Sequence, residues 1–357
     1  MGRLPVANLP TSTRNLEMVT PMCGEPKEAG WSSTTGRQSP TRGARSDGGR
    51  HESRSPTPSE PRVAIIVLNW NGKSDTLECL ASLRRLDYTN HEIVAVDQDS
   101  SDGSCEAIAG AFPDITLICN DENLGFAGGN NVGIRYALDA GAEYIALLNN
   151  DTTVDPNFVR AFVDGAKAMP DFDIFGPKIV FHRDPNVIWA AGSVINWKLG
   201  ICKQRGFGES DRGQYDSPTE VNALTGCAMM IHRKAFENVG LFDTRFYLYY
   251  EETDWCARAQ RAGFRLLYVP GTVVRHKVSA TVGAASPAIV FYMVRNNLLF
   301  IAKNAPGVCK LWLLARALLD TARTICSGLV KGRRKDAAVR MRAVAAFVGR
   351  RFGKAEV

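Results

Sequence analysis

The sequence has no Cys-x-x-Cys pair, no uninterrupted apolar run of about 18 residues and no Gly-x-Gly-x-x-Gly after its first apolar segment. The first absence argues against a zinc module. The second leaves nothing that clearly spans a bilayer, and the third disfavours a nicotinamide site. Nine cysteines, at 23, 79, 105, 119, 202, 227, 256, 309 and 326, are odd in number and scattered, so the expectation is reduced thiols in a cytosolic protein rather than bridges. The N-terminus lacks the apolar core of a secretory signal, and Val6 stands where a myristoylation signal needs Ser or Thr. From Ser32 to Pro61 there is almost no apolar residue, and nothing there offsets the entropy of ordering. Residues 1–61 therefore read as a disordered tail or an over-long gene start.

What is present suits a large folded core. The 357 residues are 45% hydrophobic and carry a net charge of +6, unevenly spread. Residues 1–62 hold +3 and residues 310–357 hold +9, which leaves −6 for the stretch between them. Such an acidic centre is not that of a nucleic-acid binder. Near the C-terminus, Leu311–Val330 reads as an amphipathic helix with Leu311, Leu314, Leu318, Ala322, Ile325 and Leu329 on one face. Basic KGRRK and a second helical stretch over 336–351 follow. This tail, 306–357, either packs on its own domain or a second subunit, or lies on an anionic membrane surface. The charge favours the membrane, and deletion of 310–357 is expected to leave activity on a water-soluble acceptor.

Between the ends, apolar strands alternate with helical segments. Val63–Asn69 is a continuous apolar run of the kind a buried parallel strand needs, with Ser74 as candidate cap of the next helix. Further strands are expected at 93–96, 115–119 and 144–148, with helices near 105–112 and 127–140. The fold class is α/β with a mainly parallel sheet, in which ligands sit at the carboxyl ends of strands. The polar runs fall at those ends: Asn69–Asn71, Asp97–Ser104 and Asn149–Asp151. The stretch 182–220 breaks the alternation, and its Gly and mixed charge read as a mobile lid on the acceptor side.

Three groups carry candidate chemistry. Asp151, beside Asn149 and Asn150, suits a hard cation with positions left open for phosphate oxygens, or an Asx turn before Pro156. The segment 121–133, DENLGFAGGNNVG, opens a helix whose N–H groups can face an anion, unless its glycines serve only tight packing. Glu251, Glu252 and Asp254 crowd at a helix start next to tyrosines, where acids suit the helix dipole and where an apolar setting also raises a carboxyl pKa toward that of a general base. His276 follows the strand LLYVPG.

The order of these runs is specific. VLNWNG, VDQDSSDGS, DENLGFAGGNN, LLNNDT, GLFDTRFYLYYEETDWCARAQRAG and PGTVVRHK, closed by FYMVRNNLLFIAKN, together resemble family 2 glycosyltransferases of the GT-A fold over about 62–305. Among these the chain looks most like the bacterial rhamnosyltransferase and galactofuranosyltransferase branch. The resemblance implies a donor site at Trp70, Asn71, Asp97, Gln98, Asp99, Asn123, Gly125, Asn130 and Asn150, with Trp70 flanking the base and Asp97 holding base or ribose. It implies a divalent Mg or Mn ion on Asp151, Asn149 and His276, with Asn149-Asn150-Asp151 in the place of DxD. It implies Glu252 as catalytic base, with Glu251 and Asp254 supporting it or orienting the acceptor. Gln98-Asp99 replaces the family's commoner Asn-Asn or Asn-Ala, and QxxRW is missing, which speaks against a processive synthase. The implied activity is inverting transfer of one sugar from a dTDP- or UDP-linked donor to a glycolipid or cell-surface saccharide, at the inner face of the membrane. A sugar-nucleotide nucleotidyltransferase and an inactive binding homologue are the alternatives.

Overall fold

The computed structural model describes residues 60–278 and 286–356. The expected tail over 1–61 lies, except for its last two residues, outside the described residues. Twelve strands and nine helices are described: β1 Val63–Asn69, α1 Lys73–Leu83, β2 His91–Gln98, α2 Ser104–Ala111, β3 Thr116–Asn120, α3 Gly125–Asp139, β4 Tyr144–Asn149, β5 Thr152–Val154, α4 Phe158–Ala168, β6 Ile174–Phe181, β7 Asp184–Ala190, β8 Ser193–Asn196, β9 Ile201–Gln204, β10 Thr219–Val221, β11 Ala228–His232, α5 Arg233–Val239, α6 Glu251–Arg261, β12 Leu266–His276, α7 Pro287–Asn304, α8 Gly307–Val330 and α9 Arg334–Val348.

The main sheet runs β10-β12-β6-β11-β4-β1-β2-β3, with β5 paired to β12 and β7 to β6. Strands β3, β2, β1, β4, β6 and β12 share one direction, and β11 and β10 run against it. The expected mainly parallel α/β sheet is therefore present, with β11 inserted at its centre. Side chains alternate across it as a pleat requires. Ala64 and Ile66 face one core with Ile134, Trp255 and Phe300 of α3, α6 and α7. Val63, Ile65 and Val67 face the other with Leu80, Ile108 and Phe162 of α1, α2 and α4. Both faces are covered, which is why the central strands are apolar throughout.

Four expectations change. Ser74 lies inside α1 and does not cap it; Asp102 Oδ2, from the loop after β2, accepts the Lys73 N–H at 2.9 Å instead. Cys105 and Cys119 form a disulfide between α2 and β3, so not every cysteine is a free thiol. The stretch 182–220 is no loose lid. It forms β7 to β10, buries Ile188, Ala190 and Ile195, and is pinned by buried Lys178, which pairs with Asp211 at 2.8 Å and with Asp216. Its polar composition hides these few anchors.

The fourth concerns the C-terminus. Leu313 of α8 is buried, Leu314 and Ala317 pack beside it, and Leu311 and Leu329 of the expected inner face point to solvent. Helix α9 places Val339, Ala343 and Ala346 against Phe291 and Tyr292 of α7, with Tyr247, Leu248 and Tyr249 at the same cluster. The last helices are thus built into the body that carries the acids. Deletion of 310–357 would remove part of that core, so the packing speaks against a tail that can be cut away freely.

Candidate active site

Because β1, β2 and β4 are parallel neighbours in register, with Asn69 opposite Asp97 and Leu68 opposite Asn149, their polar ends open at one edge. Asn69, fully buried, is the hub there. It donates to Asp97 Oδ1 at 2.6 Å, while its own Oδ1 accepts from Thr76 at 2.7 Å and from Asn150 at 3.0 Å. Asp97 Oδ2 accepts the Ser100 N–H at 3.0 Å. Asn71, in a left-handed conformation, accepts from Ser101 N at 2.8 Å and donates its own N–H to Ser100 Oγ at 2.8 Å. Trp70 is held out between these pinned residues, 45% exposed, and Asp99 is exposed beside the end of β2. The hub residue Asn69 carried a signal in the sequence, a lone amide ending an apolar strand, but was not singled out as a site residue.

The glycine-rich segment is occupied by the protein itself. Gln98, buried, accepts from Leu124 N at 3.0 Å and donates to Gly125 O at 3.1 Å. Asn123 Oδ1 takes the Gly125 N–H, and Tyr247 O takes that of Ala127. Asn130 is buried and bonds back to Phe126 O. The first turn of α3 therefore has few N–H groups to offer an anion. Gln98 has both side-chain polar atoms bonded within the protein, and Asn123 Oδ1, Gly125 N, Asn130 Nδ2 and Asn150 Nδ2 are likewise engaged in holding this edge. Gly125 has φ +73°, and a Cβ there would run into the Tyr247 ring and carbonyl.

Asp151 and His276 do come together. Oδ1 of Asp151, just after β4, lies 3.1 Å from Nε2 of His276 at the end of β12. Burial works against the imidazolium, yet neighbouring Cys227 and the Asp151 carboxylate outweigh it and raise its pKa to about 10. His276 Nδ1 is buried without a partner. A carboxylate oxygen and an imidazole nitrogen side by side are donor types that fit a divalent cation, which would bind in exchange for the imidazolium proton; no group of three His, Cys, Asp or Glu able to hold a metal is found among the described residues. The side chain of Asn149 makes no recorded bond; its backbone bonds Cys227 and Thr152.

The acids sit at a strained turn. Tyr247, Tyr249 and Tyr250 have φ of 65°, 67° and 75°, a left-handed region that costs a bulky residue on the order of 1–3 kcal/mol each. Helix α6 starts directly after them. Glu251 is buried and Glu252 half-buried, and Oε2 of each lacks a hydrogen-bond partner. Burial raises both carboxyl pKa values; for Glu251 the charge of Glu252 adds to this, and for Glu252 backbone N–H groups, among them that of Gly226, oppose it.

Asp254 leaves this group. It is fully buried and bonded to Arg258 at 2.9 Å, Lys303 at 2.8 Å and Asn304 at 2.7 Å, so it ties α6 to α7 and cannot orient an acceptor. Gly226 and Cys227, unremarked in the sequence, link the two chemical groups. Gly226 N–H faces Glu252, Cys227 O accepts from Asn149 N, and the Cys227 thiol lies by His276. A Cβ on residue 226 would come within 2.8 Å of Phe126, so the close approach needs glycine.

Comparison with known proteins adds independent findings. A family model described as "Glycosyl transferase family 2" matches residues 64–240. The chain is 25% identical over 253 residues, 68% of this chain and 80% of the relative, to dTDP-rhamnosyl transferase RfbF of Shigella flexneri. It is 27% identical over 270 residues, 69% and 85% respectively, to N-acetylglucosaminyl-diphospho-decaprenol L-rhamnosyltransferase of Mycobacterium tuberculosis. Among solved structures it shares its fold with a mannosyltransferase from Pyrobaculum calidifontis, at 17% identity and a TM-score of 0.51, covering 82% of this chain and 89% of the other.

Proposed function

The chain belongs to glycosyltransferase family 2, and from that premise we propose that it transfers one rhamnose-like sugar from a dTDP- or UDP-linked donor to a hydroxyl of a glycolipid or cell-surface saccharide, inverting the anomeric centre. The observation that carries this reading is Glu252: a carboxyl at the start of α6, raised in pKa by burial, with one oxygen free of partners. It removes the acceptor proton as the oxygen attacks the anomeric carbon. Trp70 flanks the base, with Asp97 and Asp99 at the ribose side of the same strand ends. Asp151 and His276 hold a divalent Mg or Mn ion, with Asn149 nearby. When bound, the ion neutralises charge developing on the departing diphosphate. Rhamnose is supported by the names of both relatives, and a lipid-linked acceptor by the name of the second.

The place of work is proposed to be the anionic inner face of a membrane. No helix among the described residues is long and apolar enough to cross one. Helix α8 instead exposes Leu311, Trp312, Leu319, Leu329 and Val330 close to Lys331 and Arg333–Lys335, a composition suited to an interface. Release of nucleoside diphosphate from dTDP-rhamnose, UDP-galactofuranose and UDP-GlcNAc, with and without EDTA, tests the chemistry. Release from none of them, or release indifferent to EDTA, overturns the donor or the metal assignment. Failure to sediment with anionic vesicles overturns the location.

A further inference from the structure

The buried guanidinium of Arg295 has no place in the chemistry described so far. Arg295 is fully buried on α7, and burial pushes its pKa down to about 10. Among the described residues no carboxylate pairs with it. Its Nε donates to Asn296 Oδ1 at 2.9 Å, and its other donors go to backbone carbonyls: Arg245 O at 3.2 Å, Phe246 O at 3.1 Å and, from the far end of the chain, Gly353 O at 2.8 Å. The rings of Phe291 and Tyr292 lie 5.4 and 4.9 Å from its centre. Isolating a cation this way is costly unless many dipoles surround it, and here the backbone carbonyls among them all belong to one turn and one terminus.

The next two residues act on the same turn. Asn296 Nδ2 donates to Phe246 O at 2.7 Å and to Leu248 O and Tyr249 O, each at 2.8 Å. Asn297 donates to the Tyr250 hydroxyl at 3.0 Å and to Gly200 O at 2.9 Å. The C-terminal segment closes the ring. Gly353 N donates to Arg245 O at 2.8 Å, and Ala355 N to the Tyr292 hydroxyl at 2.9 Å. Tyr292 in turn stacks on Tyr247, ring centroids 5.4 Å apart. The bonded turn, 245–250, is the one with three left-handed tyrosines, and it ends where Glu251 and Glu252 begin.

We infer that Arg295 and Asn296, completed by the C-terminal segment 353–355, are positioning residues that hold the left-handed turn 245–250 and thereby set the place of the Glu251–Glu252 pair. Left-handed tyrosines relax when their carbonyls lose these donors. The acids would then move with the turn, while the donor-side residues at the ends of β1, β2 and β4 share none of these bonds. The inference rests on Glu252 as the base. It also assigns a task to the C-terminus distinct from any membrane contact.

The test compares Asn296→Ala with a chain ending at Phe352, and uses a chain ending at Ala355 as control because it keeps both backbone bonds of the segment. Hydrogen exchange of the amides in 246–251 is read alongside kcat, donor KM and thermal melting. In Asn296→Ala and the shorter chain, exchange over 246–251 should rise and kcat fall about 10–100-fold, the usual effect of a misplaced catalytic group. Donor KM should stay within about twofold, because donor binding does not use the turn. The control should match the parent. Unchanged exchange overturns the clamp, as does a fall in kcat accompanied by an equal loss of donor binding, which marks general damage. Raised exchange with parental kcat overturns the positioning role. If Glu252→Gln keeps parental turnover, the base assignment fails instead; the exchange readout still decides the clamp, since it needs no activity.

Discussion

The two sides of the candidate cleft are built by opposite means. The donor side, at the ends of β1, β2 and β4, is a closed set of side-chain hydrogen bonds centred on Asn69, drawn mostly from residues 69–150. The acid side is a strained backbone turn held by donors about 50 residues later and by the last residues of the chain. On the first side the polar atoms are satisfied by one another, and on the second two carboxyl oxygens are left without partners. A satisfied network fixes shape, whereas an unsatisfied buried carboxyl is unstable as an anion and ready to take a proton. On the proposed function, the contrast assigns rigidity to the side that would receive the nucleotide and reactivity to the side that would receive the acceptor.

The largest effect that would break this contrast is expected from Glu252→Gln. It keeps shape but removes the base, and turnover should fall by roughly 10²–10⁴ with nucleotide affinity and melting temperature unchanged. Parental turnover in that variant ends the assignment. Asn69→Ala should do the reverse. It takes one partner each from Asp97, Thr76 and Asn150 and leaves Asp97 Oδ1 unbonded in a buried site, and a loss of about 1–3 kcal/mol in unfolding free energy is expected, the cost of an orphaned polar group. A denaturation midpoint equal to the parent's would show that the hub is not what stabilises this edge.

Glu251→Gln sharpens the contrast with the smallest effect. The folded-state pKa of Glu251 lies above its ordinary value of 4.5, so the fold favours the protonated form. Its stabilising contribution is present below that value and is lost as pH rises through the raised one. The neutral amide escapes this loss. Its melting temperature should equal the parent's at about pH 4 and exceed it at about pH 8. A less stable variant at the higher pH would mean that the carboxylate has a favourable partner, and the acid side would then resemble the donor side.

How much of this was legible in the sequence depended on the range of the forces. Val63–Asn69 and Tyr144–Asn149 are apolar throughout because both faces of the sheet are covered, so strand order and the polar strand ends could be read directly. Asp151 and His276 were placed in one site by motif order, and the structure brings them within 3.1 Å. Asp254 misled, because an acid three residues from Glu251 looks like a member of its group until Lys303 and Asn304 are packed against it. The glycine segment misled for the same reason: its N–H groups look available until Gln98 and Tyr247 occupy them.

The sequence by itself determined the alternating strands and helices, the edge at which the polar residues gather and the identity of the acids, since each follows from local pattern and side-chain chemistry. Only the tertiary structure decided which acids keep an unpartnered oxygen, that the stretch 182–220 is pinned by Lys178, and that the basic C-terminus reaches the turn before those acids. Those outcomes turn on burial and on hydrogen bonds to backbone carbonyls. Every residue type carries the same carbonyl, so its partners are set by where the chain passes and by no letter of the sequence.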